Sequence, residues 1–248
     1  MAVDEALMIN QGRGDTPPTL RFYAWDPPAV SIGYFQNMQQ EIDVDACTAQ
    51  GISTVRRFTG GRAILHDREV TYSLAARPDN PLVAGTVLES YLKISRCLIA
   101  GLAELGITAE LSTADVRQHK STACFDTPSR YELVIDGRKL IGSAQARKHI
   151  CVLQHGSIPL EIDPGKLFAV IRFADEQERK RYRDRFLARA ISLNEAGNQP
   201  YSYDEVVQAL CRGFARVCGI DLKAGALTPR EKETARELLR EKYGGGDL

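Results

Sequence analysis

Apolar residues recur at helical spacing in the middle of the chain, over residues 86–105. The residues that share this apolar face are Leu88, Tyr91, Leu98, Leu102 and Leu105. Gly106 follows them directly and suits the left-handed position at which many helices end. The pattern predicts a long helix that packs against the core.

Capping boxes predict two further helices near the C-terminus. Ser202 precedes Glu205 by three residues, and Thr228 precedes Glu231 by three, with Pro229 at the first helical position. In each box the hydroxyl and the carboxylate accept hydrogen bonds from backbone N–H groups that the first turn leaves unpaired. Weaker signals of the same kind predict helices over residues 3–11 and 43–50.

Short runs rich in β-branched and aromatic residues predict strands between these helices. They cover residues 20–24, 29–33, 54–57, 70–75, 131–135, 139–147 and 152–160. Asp136-Gly137 favours a two-residue type I′ turn, so the resulting hairpin would pair Val134 with Lys139, although a lysine at such a position is most often solvated. These elements predict an α+β fold with a mixed, largely antiparallel central sheet and flanking helices. At 248 residues, we expect one domain, residues 1–248, with a short C-terminal helical extension.

Composition narrows the functional classes. Thirty-two basic residues balance thirty-two acidic ones, which argues against a broadly basic surface for nucleic acid. No run approaches 18 consecutive apolar residues, and the first residues have neither the basic nor the apolar part of a signal peptide. We therefore expect a cytoplasmic protein without a membrane partner, and a monomer. Residues 175–189 mix basic and acidic side chains, a pattern typical of a solvated helix face or of a docking patch for an acidic protein.

The six cysteines contain no C-x-x-C pair and no spacing typical of zinc sites, so we expect no structural metal. Cys97, Cys211 and Cys218 lie in helical patterns and are interpreted as small buried apolar residues. Cys124 differs, because it follows a polar segment and precedes a proline-containing turn. It is expected to lie in a loop.

Two glycine-containing segments and Cys124 together indicate acyl-transfer chemistry. Residues 56–67 read RRFTGGRAILHD, and residues 137–145 read GRKLIGSAQ. A thiol can hold an acyl group as a thioester, a nearby ammonium favours the thiolate, and glycine lets backbone N–H groups approach a carbonyl closely.

These segments resemble the lipoate-protein ligase superfamily, whose catalytic-domain fold is shared with biotin protein ligases. The resemblance extends to AVDEAL (2–7), RFY (21–23), SIGYFQ (31–36) and LQHGSI (153–158), while CFDTPSRYEL (124–133) resembles the cysteine loop of the octanoyltransferases in that superfamily. It implies transfer of octanoate from octanoyl-acyl carrier protein, through a cysteine thioester, to a lysine of a lipoyl domain, with the glycine cleavage H protein as the expected acceptor. It also implies that Cys124 is the acyl acceptor and that Lys139 lowers its pKa, with no cofactor.

The same resemblance implies a set of substrate-binding residues. They are Arg57, Gly60, Gly61, Arg62, His66, Gly142, Ser143, Ala144, Gln145, His155 and Gly156. Backbone N–H groups near Gly142, Ser143 and Ala144 are candidates for the oxyanion site, where one donor is typically worth about 3 kcal/mol. His66 and His155 could move protons, or could be histidines satisfied by hydrogen bonds within the sheet.

Three other functions remain open at the level of sequence. An ATP-dependent lipoate-protein ligase would use the glycine segment to hold an adenylate. An octanoyl amidotransferase would share the thioester mechanism but take its acyl group from another lipoyl domain. A binding module for an acyl carrier or a lipoyl domain would perform no chemistry and would have no use for Cys124 and Lys139.

Overall fold

The computed structural model describes residues 1–112 and 132–244. Its strands, in chain order, are β1 (Thr19–Tyr23), β2 (Ala29–Ile32), β3 (Ser53–Arg56), β4 (Ile64–His66), β5 (Glu69–Ala76), β6 (Glu110–Leu111), β7 (Leu133–Ile135), β8 (Arg138–Lys148) and β9 (Cys151–Pro159). Its helices are α1 (Ala2–Arg13), α2 (Met38–Glu41), α3 (Val44–Ala49), α4 (Val87–Glu104), α5 (Pro164–Val170), α6 (Glu176–Arg189), α7 (Leu193–Gly197), α8 (Tyr203–Cys218) and α9 (Pro229–Glu241).

The strands form two sheets. The larger has the order β1-β5-β9-β8-β7-β6, and each neighbouring pair in it is antiparallel. The smaller has the order β3-β2-β4, with β2 parallel to β3 and antiparallel to β4. This arrangement confirms the predicted α+β class and its largely antiparallel central sheet.

Helices α4 and α8 cover one face of the larger sheet. The Thr86 and Ser202 capping boxes start them, the second as predicted, and Gly106 after α4 has the expected positive φ. The two helices approach so closely that a Cβ on Gly213 would lie 2.3 Å from the backbone nitrogen of Gly101. A glycine pair is therefore required where these helices cross.

Helix α1 covers the opposite face of the sheet, and α9 lies over α1. Leu7 and Met8 pack with Leu153 in this second layer, and the buried Asn10 side chain donates a hydrogen bond to Thr234 of α9 at 3.2 Å. Because both faces of the larger sheet are covered, β5 and β9 are buried along their whole length.

The hairpin β7–β8 forms as the sequence predicts. Asp136 and Gly137 both have positive φ, 49° and 73°, as a type I′ turn requires. Val134 lies opposite Lys139. The expectation that a lysine at this position is solvated is wrong here, because Lys139 is only 1% exposed. The segment that follows α6 covers it, with the Ile191 N–H donating to the Lys139 carbonyl at 3.0 Å.

The cysteine interpretation holds in part. Cys97 is fully buried, whereas Cys211 and Cys218 of α8 are half-buried. Their positions border the face of α8 that packs inward, instead of lying at its centre. None of the helices in the described ranges has both the length and the apolar composition that spanning a bilayer requires.

Candidate active site

A cleft lies between the two sheets, and most of the residues singled out by sequence line it. Eight of them do so: Arg57, Gly61, His66, Gly142, Ser143, Ala144, His155 and Gly156. They come from the loop after β3 and from the strands β4, β8 and β9. Segments far apart in sequence therefore converge on one cavity.

The wall formed by β8 and β9 is built for close approach. Gly156 lies opposite Ser143, and a Cβ on Gly156 would come within 2.6 Å of the Ser143 Oγ and 2.7 Å of the Gly142 carbonyl oxygen. No larger residue fits there. The Ser143 hydroxyl shares a hydrogen bond with the hydroxyl of Tyr72 at 2.7 Å.

Strand β8 changes its pairing partner after Ile141. It pairs with β7 over Arg138–Ile141 and with β9 over Gly142–Lys148. In an antiparallel ladder successive N–H groups point to opposite sides. Alternate N–H groups over Gly142–Gln145 therefore point away from β9, on a side where no other described strand pairs with them. This edge can present donors to an oxyanion.

Arg57 holds the glycine loop in place. Its side chain is 3% exposed and donates to the Ser31 carbonyl at 2.9 Å and to the carbonyls of Gly60 and Arg62 at 3.2 and 2.9 Å. Gly61 has φ +100°, a conformation that favours glycine. Arg57 thus shapes the wall of the cleft from behind.

Three of the expected binding residues do not line the cleft. Gly60 and Arg62 lie in the loop that Arg57 fixes, and Gln145 is directed elsewhere, where its amide donates to Ser90 at 3.1 Å and to Gln154 at 3.0 Å. By the alternation of β8, Gln145 shares a face with Ser143, and its bonds to Ser90 and Gln154 direct its amide away from the cleft.

His66 closes the cleft on the side of the smaller sheet. Its Nδ1 lies 2.8 Å from the Glu69 carboxylate and its Nε2 lies 2.6 Å from the Ser31 hydroxyl. The ring stacks on Trp25, with 4.3 Å between centroids. Glu69 also accepts hydrogen bonds from the hydroxyls of Thr71 and Ser157. These bonds hold its carboxylate in place, so Glu69 fixes the orientation of His66.

His155 is held between Asp4 and Thr59. Its Nδ1 lies 3.2 Å from Asp4 Oδ2, and its Nε2 lies 2.8 Å from the Thr59 hydroxyl. Burial lowers the pKa of His155 despite the Asp4 carboxylate, so the ring is neutral at pH 7. A neutral ring donates from Nδ1 to Asp4 and accepts at Nε2.

Asp4 itself is fully buried and remains ionised. Burial raises its pKa, but the hydrogen bond to His155 and the charge of Arg21 outweigh that effect and hold the pKa well below its usual range. The carboxylate also accepts from Tyr23 at 2.8 Å and from Ser73 at 2.9 Å. The sequence interpretation missed both carboxylates. Asp4 is 151 residues from its histidine, so nothing local marks it. Glu69 lies only three residues after His66, and that proximity was the signal that could have found it.

Lys139 forms a buried ion pair with Glu132. Its Nζ donates to Glu132 Oε1 at 2.5 Å, and neither side chain is more than 9% exposed. Cys124, the expected nucleophile, lies outside the described residues. Among the residues that are described, no three His, Cys, Asp or Glu side chains come together as a metal site would require.

Comparison with known proteins places this geometry in a family. Residues 1–215 match the model of the lipoyl protein ligase A/B catalytic domain. The chain is 49% identical to the octanoyltransferase LipM of Kyrpidia tusciae, covering 96% of this chain and 89% of that protein, and 49% identical to the octanoyltransferase LipM of Symbiobacterium thermophilum, covering 98% and 90%.

Solved structures agree on the architecture. A bi-partite lipoate protein ligase from Thermoplasma acidophilum is 28% identical, with a TM-score of 0.82 over 98% of this chain and 88% of that one. A lipoate-protein ligase A bound with ATP is 26% identical, with a TM-score of 0.78 over 99% and 90%. The cleft between the two sheets therefore lies within a known catalytic fold.

Proposed function

Because the chain belongs to the family of lipoyl protein ligase A/B catalytic domains, we propose that it is an octanoyltransferase that delivers octanoyl groups to a lysine of a lipoyl domain. The observation that carries this proposal is its identity of 40–49%, over nearly the whole length, with proteins named octanoyltransferase. The donor is octanoyl-acyl carrier protein, and the acceptor is the glycine cleavage H protein.

In the first half-reaction, the Cys124 thiolate attacks the carbonyl carbon of the donor thioester. A new C–S bond forms, the donor's C–S bond breaks, and the carrier leaves as a thiolate that takes up the proton Cys124 lost on ionising. One thioester replaces another at nearly equal free energy, so no activation by ATP is required. Cys124 is eight residues from Glu132, a span of at most about 28 Å, so chain length allows its thiol to reach the cleft.

In the second half-reaction, the uncharged amine of the acceptor lysine attacks the octanoyl-enzyme. The amide C–N bond forms, the C–S bond to Cys124 breaks, and the amine loses a proton. The amide is more stable than the thioester, so the downhill step comes last.

Both half-reactions pass through an oxyanion, for which Gly142–Gln145 supplies candidate donors. This proposal is supported by the edge of β8 there, with which no other described strand pairs. Burial lowers the pKa of His155 and favours its neutral form, so Nε2, which accepts from the Thr59 hydroxyl, can take up a released proton only in passing. Lys139 supplies the positive charge that favours the Cys124 thiolate.

A second candidate is ATP-dependent lipoate ligation, which the likeness to lipoate-protein ligase A bound with ATP favours. The two functions differ in what the acyl group needs before transfer. A ligase activates a free acid with ATP, whereas the octanoyltransferase accepts a thioester without ATP. The amidotransferase alternative differs only in taking the acyl group from an octanoylated lipoyl domain.

Intact-mass measurement tests the proposal. Incubation with octanoyl-acyl carrier protein, without ATP, should add one octanoyl group to the wild-type chain, and hydroxylamine should remove it. Cys124→Ala should acquire no label, whereas Cys211→Ala, which removes a half-buried cysteine, should be labelled like wild type. Labelling of Cys124→Ala would overturn the mechanism. Labelling from free octanoate and ATP alone, or from an octanoylated lipoyl domain alone, would favour one of the alternatives.

A further inference from the structure

A groove between α5 and α6 lies outside the candidate active site and carries excess positive charge. The residues that line this basic groove are Pro164, Gly165, Phe168, Ala169, Glu176, Gln177, Arg179, Lys180, Arg183, Asp184 and Leu187. Lys180, Arg183 and Leu187 follow the spacing i, i+3, i+7, so they form one stripe of α6 that faces the groove.

Helix α6 carries six basic side chains and three acidic ones, in a chain whose formal net charge is zero. Arg179 is neutralised by Glu176 at 2.7 Å, and Glu178 accepts from the backbone of Ala174 at 2.7 Å. Lys180 and Arg183 are exposed and form no ion pair with any residue in the described ranges. The positive charge of this stripe is therefore available to a partner.

The floor of the groove is apolar. Phe168 is buried beneath it, and Leu187 is 45% exposed at one end of the stripe. Asp184 is the acidic residue of this lining that forms no ion pair with another described residue. Lys180 and Arg183 therefore give the groove more unpaired positive than negative charge. A basic rim above an apolar floor is complementary to an amphipathic helix with an acidic face.

A second cavity adjoins the active-site cleft and extends to α5 and α6, the helices that form the basic groove. This cavity, of about 230 Å³, shares Ile64 and Ser157 with the cleft and is also lined by Leu167 and Phe186. Among the described residues it shares no lining residue with the groove, and Phe186 packs edge-on against Phe168 of the groove lining, with 5.6 Å between ring centroids. The groove is therefore separate from the cleft, and a partner docked in it must span the distance between them.

We propose that the basic groove docks the acidic face of the carrier protein that brings the octanoyl thioester, and that the carrier's prosthetic arm spans the distance from the groove to the cleft. This inference rests on the proposed function and names the partner surface of its first half-reaction. The separation of groove and cleft favours the donor over the acceptor. A thioester at the end of a long arm can cross it, whereas a lysine side chain of a lipoyl domain docked in the groove would end short of the cleft.

Reversal of two groove charges tests the proposal in the full chain. The variant Lys180→Glu/Arg183→Glu should lower kcat/KM for acyl-enzyme formation from octanoyl-acyl carrier protein by roughly tenfold or more, and should weaken its dependence on salt. With octanoyl-pantetheine, a small thioester that needs no docking surface, the rate should be unchanged. The matched control is Arg236→Glu/Arg240→Glu on α9, which makes the same charge change at two exposed positions and should stay within about twofold of wild type for both donors.

Each outcome distinguishes the docking proposal from the proposed function. A groove variant that loses equal activity with both donors, or loses no more with the carrier protein than the α9 variant does, would overturn the docking proposal while the acyltransferase assignment stands. A groove variant that loads normally but transfers slowly to the lipoyl domain would also overturn it, because the acceptor would then occupy the groove. If neither thioester labels the wild-type chain, the proposed function fails first.

Discussion

At the scale of single residues, the ionisable groups of the candidate site are held by buried partners, some distant in the chain and some near. His155 is bound by Asp4, 151 residues earlier, and Lys139 is paired with Glu132 across a hairpin. Buried charge is costly unless it is paired and hydrogen-bonded. The polar network therefore fixes side-chain orientation at the same time as it stabilises the fold.

The Lys139–Glu132 pair predicts two opposite shifts in the reactivity of Cys124. Glu132→Gln keeps the cation but removes its counter-charge, so the pKa of Cys124 should fall. Lys139→Met combined with Glu132→Gln removes both charges without leaving a buried orphan carboxylate, and the pKa of Cys124 should rise by about one unit relative to Glu132→Gln. The measurement is the pH dependence of the rate of Cys124 alkylation, followed by mass spectrometry.

Alkylation of the half-buried Cys211 in the same samples serves as the internal control and should follow one profile in all variants. A Cys124 profile that is identical in wild type and both variants would remove Lys139 from the mechanism.

Asp4 predicts a pH-dependent contribution to stability. Its folded-state pKa is lower than the unfolded value of about 3.9, so its ionised form stabilises the fold fully above that value, and the contribution is lost as the pH falls through the folded-state pKa. Asp4→Asn should lower the free energy of unfolding at pH 7 by about 2–4 kcal/mol. This difference from wild type should shrink below about pH 4, as urea unfolding at a series of pH values would measure.

The matched control for Asp4 is Asp79→Asn. The Asp79 side chain is 81% exposed and lies 3.8 Å from Arg77, so its replacement should change the free energy of unfolding by less than about 0.5 kcal/mol at any pH. A difference for Asp4→Asn that stays constant down to pH 2 would show that its carboxylate is not the titrating group.

Residue types in local motifs were readable from sequence, but their partners were not. His66 and His155 were singled out, yet the sequence could not indicate that Asp4 orients His155, because α1 and β9 meet only when the fold packs. Glu69 lies close to His66 in the chain, and the turn between β4 and β5 brings their side chains together. The burial of Lys139 could not be predicted from the hairpin pattern either. The Ala190–Ile191 segment that covers it lies about fifty residues further along.

At the scale of elements, local signals succeeded where the element depends on its own residues. The two C-terminal capping boxes and the Asp136-Gly137 turn formed as predicted. The short strands β4 and β6 escaped prediction, since two or three residues carry no period of their own and are ordered by neighbouring strands. The charged pattern of residues 175–189 predicted a solvated face, and α6 has one, but it also buries Phe186 in the core beneath the smaller sheet.

The crossing of α4 and α8 predicts a large cost for a single methyl group. Gly213→Ala would gain helix propensity of about 1 kcal/mol, but its Cβ would meet backbone of α4 at 2.3 Å. Backbone cannot move aside as a flexible side chain can, so the variant should lose about 2–3 kcal/mol of unfolding free energy. Gly225→Ala, where a Cβ would meet no atom within 4 Å, should change the urea midpoint little. Equal midpoints for the two variants would contradict the close crossing.

At the scale of the whole molecule, the two sheets contribute different parts of the candidate site. The larger sheet and its covering helices form a rigid wall, while the smaller sheet supplies the Arg57 loop and His66 from the other side. The candidate site thus depends on the relative placement of sheets, which no local pattern encodes, although the resemblance of motifs named eight of the residues that line the cleft. The net charge of zero likewise gives no indication of the positive excess of α6. The fold is needed to show that Lys180 and Arg183 of this helix line one groove.

The packing of α9 over α1 sets the order in which a nascent chain can complete its structure. Asn10 and Thr234, which bond across this contact, are 224 residues apart. At about 5–20 residues per second, α1 must wait on the order of 10–45 s before the residues of α9 that contact it are synthesised. During translation the surface of α1 that α9 covers, Asn10 included, is therefore open to other binding partners.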